Sequence, residues 1–248
     1  MALQMISPQS VDRLAMLVIG PAGIGKTSLL RTLCGEVYDQ ETGHWVQNDQ
    51  LQPEKVCVLS AEGGLLCVRD LVVKGAILGY EIGSLDDFME AQQMCMNQQF
   101  KNEGYRWIFI DSLTEISARC VETFERKYPL KDDSFKLWGD YNKLITSIIK
   151  GFRDLTDYNV IFTCLETWGK DTDKVRMLTP DIAGNAIKNR LTSYFDEVLH
   201  MEVQRDPNGK EVHVFSTQSP IGMAKDRSGK LARYELPNLL AVQQKILN

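Results

Sequence analysis

Short apolar runs alternate along the chain with segments whose apolar residues recur at helical spacing. The runs are residues 14–19, 56–60, 107–110 and 160–164. Their length and flanking polar residues predict buried strands, and the segments between them predict crossover helices. The clearest helix carries Tyr141, Leu144, Ile145, Ile148, Ile149 and Phe152 on one face, at steps of three and four. A second follows Asp111, with Leu113, Ile116, Cys120, Val121 and Phe124 facing one side. The alternation predicts an α/β fold with a mostly parallel central sheet flanked by helices.

Towards the C-terminus the pattern changes. Runs 198–203 and 212–216 flank Asp206-Pro207-Asn208-Gly209, whose Pro and Gly suit a tight turn, so an antiparallel hairpin is expected there. No repeat, low-complexity tract or linker divides the chain. The expectation is one domain over 1–248, with a short N-terminal segment (1–13) and a tail (236–248) whose Leu239, Leu240, Val242, Ile246 and Leu247 suit capping the core, the favoured reading, or docking on a neighbour. Only about a dozen residues precede the first strand, so no separate N-terminal domain is expected. Segments 127–139 and 168–184 carry weak signals and read as loops, which are often functional in compact domains.

Composition narrows the class. The 248 residues include 28 Lys and Arg against 33 Asp and Glu, a net charge of −5, with 44% hydrophobic and 25% charged residues. Those values fit a globular protein and argue against a disordered or fibrous one. The acidic balance excludes binding nucleic acid through bulk charge. Six cysteines, with no C-x-x-C pair and no Cys/His cluster, read as reduced buried thiols. The N-terminus lacks the basic-then-apolar pattern of a secretory signal, and no apolar stretch approaches membrane length. A cytoplasmic protein with no membrane partner is expected.

Chemistry enters at Gly20-Pro21-Ala22-Gly23-Ile24-Gly25-Lys26-Thr27, which fits G-x-x-x-x-G-K-[ST] directly after a strand and before the apolar start Ser28-Leu29-Leu30. Glycines let backbone N–H groups curl around a polyphosphate, and the following helix adds its positive end. Lys26 is expected to reach the β- and γ-phosphates, and Thr27 to ligate Mg²⁺. Asp111 ends an apolar strand, where it can hold the metal's water shell, while Ser112 can cap the next helix. ATP and Mg²⁺ are the implied cofactors.

The residue after Asp111 is a serine, so a water-activating base must come from elsewhere. The second strand ends in Ser60-Ala61-Glu62-Gly63-Gly64, and in a parallel sheet that end shares an edge with the phosphate loop. Glu62 is the favoured base and Glu115 its rival. The fourth strand ends in Thr163 to Thr167, so Thr163 or Glu166 can sense the γ-phosphate and relay it to the segment beginning at Trp168.

Together the phosphate loop, the separate Glu62, Asp111-Ser112 and Gly184-Asn185-Ala186-Ile187-Lys188 resemble the RecA-like P-loop NTPase core. Lys225-Asp226-Arg227-Ser228-Gly229 is similar to the K-x-R-x-G motif of the RadA and DnaB branches. The resemblance implies that Lys225 and Arg227 enter a neighbouring subunit's ATP site, as an arginine finger in trans, within a ring or filament. It covers residues 14–236, and in compactness the chain is most similar to the phage Sak-type single-strand annealing ATPases.

In that family the loops after the third and fourth core strands hold single-stranded DNA, which implies Lys131 and Lys136 in the first and Lys170, Lys174, Arg176 and Lys188 in the second. Tyr128, Phe135, Trp138 and Trp168 supply rings on which bases can stack. Residues 168–193 carry five basic side chains against three acidic, and residues 222–235 four against two, so positive charge concentrates there. The expected function is ATP-driven binding and annealing of single-stranded DNA in phage recombination, in the host cytoplasm, with a single-stranded-DNA-binding protein as a partner by family implication. The rivals are a P-loop kinase of a small molecule and a DNA-binding module that uses ATP only for assembly.

Overall fold

The computed structural model describes residues 12–128, 134–170, 176–219 and 223–248. Five strands read in sequence as apolar runs line up in parallel: β1 (Ala15–Gly20), β4 (Val56–Ser60), β6 (Trp107–Asp111), β7 (Asn159–Lys170) and β9 (Glu197–Arg205). Together with β5 (Ile77–Glu81), β10 (Glu211–Ser216) and β12 (Tyr234–Glu235) they form one sheet in the order β12-β10-β9-β1-β7-β6-β4-β5. β1 lies between β7 and β9, parallel to both, and β10 runs antiparallel to β9 as the expected hairpin. A short strand β11 (Lys225–Asp226) pairs with the first residues of β9.

Both faces of the sheet are covered, which is why its central strands are almost continuously apolar, with Ser60, Asp111 and Thr163 as polar exceptions near their carboxyl ends. On one face Leu17, Ile19, Leu59, Ile108, Ile110 and Phe162 pack under α3 (Leu85–Met96), α5 (Leu113–Lys127) and α6 (Ser134–Arg153). The alternate residues Met16, Val18, Val58, Phe109 and Ile161 pack on the other face against Leu29, Leu30 and Leu33 and the C-terminal helix α8 (Leu239–Leu247). α8 buries Leu239, Leu240, Val242 and Ile246, and its first N–H donates to the buried Thr32 hydroxyl at 3.1 Å. Phe162 and Phe195 meet edge to face at 5.5 Å; truncating either to alanine costs about 3–5 kcal/mol.

Two segments depart from the sequence reading. Residues 134–139 are helical, the opening turns of α6, and Lys127 is the last residue of α5. Their periodicity is weak because Phe135 and Trp138 face outward, 95% and 41% exposed. Residues 168–170 and 176–180 are also not open loop: β7 continues to Lys170 and pairs antiparallel with β8 (Arg176–Pro180). Another hairpin, β2 (Glu36–Asp39) with β3 (His44–Gln47), leaves the short helix α1 (Leu30–Leu33) and had no reading from the sequence. Five cysteines are buried as expected, whereas Cys67 is exposed. Among the described residues no helix is long and apolar enough to cross a membrane.

Candidate functional site

Parallel pairing places the carboxyl ends of β1, β4, β6 and β7 side by side. Ser60 lies opposite Asp111, and Gly20 opposite Leu165. The loop 20–27 therefore emerges at the same edge as Glu62, Asp111 and Thr163. Gly20 has no freedom to be anything larger, because a Cβ there would stand 2.7 Å from the Met201 carbonyl of β9. Gly25 turns the chain at φ +105°, a left-handed conformation that favours glycine. Thr27–Leu29 then form a single 3₁₀ turn leading into α1.

Lys26 is buried across the inside of the loop, its Nζ donating to the carbonyls of Gly20 (2.9 Å) and Pro21 (2.8 Å). An ammonium has three donors, so one is left for an incoming anion. Burial lowers the Lys26 pKa, and the carboxylates of Asp111 and Glu62 oppose that shift. Asp111, 2% exposed, accepts from the Thr27 hydroxyl at 2.8 Å on Oδ2 and from the Thr163 hydroxyl on Oδ1. Burial raises its pKa, while these two hydrogen bonds pull it back down and keep the carboxylate ionised more readily.

A carboxylate and a hydroxyl in direct contact are hard oxygen donors, the set that suits Mg²⁺ held jointly with phosphate oxygens. Among the described residues no group of three or more His, Cys, Asp or Glu side chains forms a metal cage. Thr27 and Asp111 fit such a substrate-shared ion rather than a site built wholly from protein.

Glu62 reaches the same place from β4. Its Oε1 accepts from the Ser112 hydroxyl, and it borders a cleft of about 330 Å³ together with Gly23, Lys26, Thr27, Asp111 and Leu165. Ser112 also begins α5, its hydroxyl accepting from the Glu115 N–H at 3.4 Å. Glu115 itself is turned to Arg119 (3.3 Å), which anchors the Ala61 carbonyl (2.9 Å). Of the two carboxylates, Glu62 is the one on the cleft.

Thr163 and Glu166 divide between two partners. Thr163 touches Asp111, whereas Glu166 Oε2 is hydrogen-bonded to His200 Nε2 at 2.6 Å. Its charge still bears on Lys26. The sequence reading missed His200; its signal is position, since it sits opposite Ile19 near the carboxyl end of β1.

Lys225 and Arg227 lie at the other end of the sheet. β11 pairs with Glu197 and Val198, and Glu197 stands beside Met16, four residues before Gly20, roughly 13 Å along the strand. Lys225 Nζ donates to the Phe195 carbonyl (2.5 Å) and Thr192 carbonyl (3.3 Å), and Arg227 pairs with Asp196 at 2.5 Å. Burial and the Arg227 charge lower the Lys225 pKa. Within one chain they do not join Lys26 and Glu62.

The basic residues of the two outer segments are dispersed. Lys136 is exposed in the first turns of α6, and Lys188 is half-buried at the end of α7 (Asn185–Lys188). Lys170 and Arg176 are a paired position of the β7–β8 hairpin, which projects beyond the Gly20–Leu165 level of the sheet. Lys131 and Lys174 lie outside the described residues. The return from the hairpin is fixed: Ala183 donates its N–H to Ser117 (2.9 Å) and accepts from the Tyr141 hydroxyl (2.8 Å).

A family model described as an AAA domain matches residues 12–228. No curated protein matches the chain.

Proposed function

Because the chain belongs to that AAA-domain family of P-loop ATPase-like proteins, we propose that it hydrolyses Mg·ATP at the carboxyl edge of its sheet and uses the cycle to control single-stranded DNA. The observation that carries the reading is the convergence of Lys26, the Thr27–Asp111 contact and Glu62 on one cleft.

In this reading the loop N–H groups and Lys26 hold the β- and γ-phosphates, and Thr27 and Asp111 hold Mg²⁺. The metal, when bound, neutralises charge shared between those phosphates. Glu62 takes a proton from the attacking water as its oxygen bonds to the γ-phosphorus; the bond to the β-phosphate oxygen breaks, and ADP and phosphate leave. Ser112 positions Glu62 by its hydrogen bond, and Thr163 positions Asp111. Lys225 and Arg227 act on the γ-phosphate of a second copy, since their own loop lies at the opposite edge. Head-to-tail association of identical chains provides that geometry.

Single-stranded DNA is the proposed polymer. Support comes from exposed rings beside cations near the carboxyl edge: Phe135, Lys136 and Trp138 on α6, and Trp168 on the projecting hairpin. Annealing and a role in recombination follow as proposals from the same contacts. ATP turnover measured with and without single-stranded DNA, at graded salt, tests this. The expected result is a faster rate with DNA and a stimulation that fades as salt rises. A rate indifferent to DNA at every salt concentration contradicts it.

A further inference from the structure

The cleft of the phosphate loop has a neighbour. A second cavity, about 210 Å³, lies on the outer side of the loop and shares Gly23, Gly25 and Ser28 with the first as common walls. Its chemistry is different. Where the cleft is lined by Lys26, Glu62 and Asp111, this chamber is walled by Tyr38 and Trp45 of the β2–β3 hairpin, Met201 of β9, His213 of β10 and Pro237. A charged trough and an aromatic chamber therefore meet at Ser28.

The chamber is built from distant parts of the chain and is held in place. Tyr38 and Trp45 are directly opposite each other in the hairpin, with ring centroids 5.4 Å apart and planes tilted by 59°. The base of the hairpin is tied by Gln47 Nε2 to the Gly35 carbonyl at 3.1 Å, and its tip by Lys210 Nζ to the Gln40 carbonyl at 2.7 Å. The Arg31 guanidinium lies 5.9 Å from the centre of the Trp45 ring and is itself paired with Glu36 at 2.8 Å. Tyr38 nonetheless remains 45% exposed, so its ring is not committed to the core.

A nucleoside triphosphate has the same division: a polyanionic tail and a flat apolar ring, joined by a ribose. We propose that the chamber holds the nucleobase, a purine stacked against the Tyr38 and Trp45 rings, while Ser28 marks the crossing from the α-phosphate to the ribose. The inference rests on the nucleotide reading above and adds where the base is recognised and by what. Flat rings gain from aromatic stacking and from leaving water, and the half-exposed rings of this hairpin provide that surface beside the phosphate loop. The hairpin, rather than the phosphate loop, then distinguishes a nucleotide from a bare polyphosphate.

The test uses the full chain, Mg²⁺ and two probes, ATP and inorganic tripolyphosphate, with affinities measured by calorimetry. The wild-type protein is expected to prefer ATP by about tenfold or more, and Trp45→Ala and Tyr38→Ala to lower ATP affinity by about tenfold each while leaving tripolyphosphate affinity unchanged. Trp45→Phe should retain most of the preference. Variants that keep the full ATP preference overturn the inference, as do variants that lose both probes equally, because the hairpin then only supports the loop. A wild-type protein that binds tripolyphosphate and ATP equally also overturns it. A wild-type protein that binds neither probe removes the nucleotide reading itself, an outcome distinct from the others.

Discussion

The two edges of the parallel sheet handle charge in opposite ways. At the carboxyl edge the charges are interlocked within one chain: buried Lys26 on loop carbonyls, buried Asp111 between two threonine hydroxyls, and the exposed Glu62 held by Ser112. At the amino edge Arg227 is about half exposed in its pair with Asp196, and the buried carboxyl of Glu197 lies against Asp226. The first arrangement leaves room at its centre for the proposed nucleotide. The second presents basic groups outward, which is what a site completed by a second copy needs. Removing a carboxyl-edge charge should therefore damage a chain's own site, and removing Lys225 or Arg227 should damage the site of its neighbour.

The largest expected effect is at the carboxyl edge. Lys26→Ala should slow ATP turnover roughly 100- to 1,000-fold, the range seen when one group stabilising transition-state charge is removed, with little change in thermal unfolding. Turnover at the wild-type rate would break the comparison, because the buried ammonium would then be structural.

How much of this was legible in the sequence differs between the same two edges. The phosphate loop, Asp111 and Glu62 are local features, each following an apolar strand, and a parallel sheet brings such ends together whatever the loops do between them. The contacts that orient them were less legible. Thr163 reaches Asp111 across 52 positions, Ser112 reaches Glu62 across 50, and His200 meets Glu166 across 34. Those depend on strand order, which periodicity does not encode. The α6 opening and the β7–β8 hairpin were read as loops because exposed rings and basic residues mask their periods. The β2–β3 hairpin offered little for another reason: with only Val37, Val46 and two half-exposed rings as its apolar content, it resembles polar connection.

A smaller effect separates the amino edge. Burial, with the Asp226 charge added, pushes the Glu197 carboxyl from an ordinary 4.5 up to about 7. Lys225, Arg227 and Asp196 are the other charged groups around it. A raised folded pKa means that the native state holds the proton more tightly. Its contribution is fully present below pH 4.5 and is lost as pH rises through about 7. Glu197→Gln should remove that dependence, so the variant should gain about 1–3 kcal/mol on the wild type between pH 5 and 8 in urea unfolding. A difference between the two proteins that does not change with pH would show that Glu197 stays ionised throughout.

The central claim is that one chain supplies Glu62 and its neighbour supplies Arg227 to the same ATP. Mixing subunits reads this directly. Arg227→Ala and Glu62→Ala proteins should each be nearly inactive alone, and a 1:1 mixture should regain up to about a quarter of wild-type turnover, the share of random head-to-tail interfaces that pair an intact Glu62 with an intact Arg227. No recovery at any mixing ratio, with both variants folded and assembling, would contradict the account.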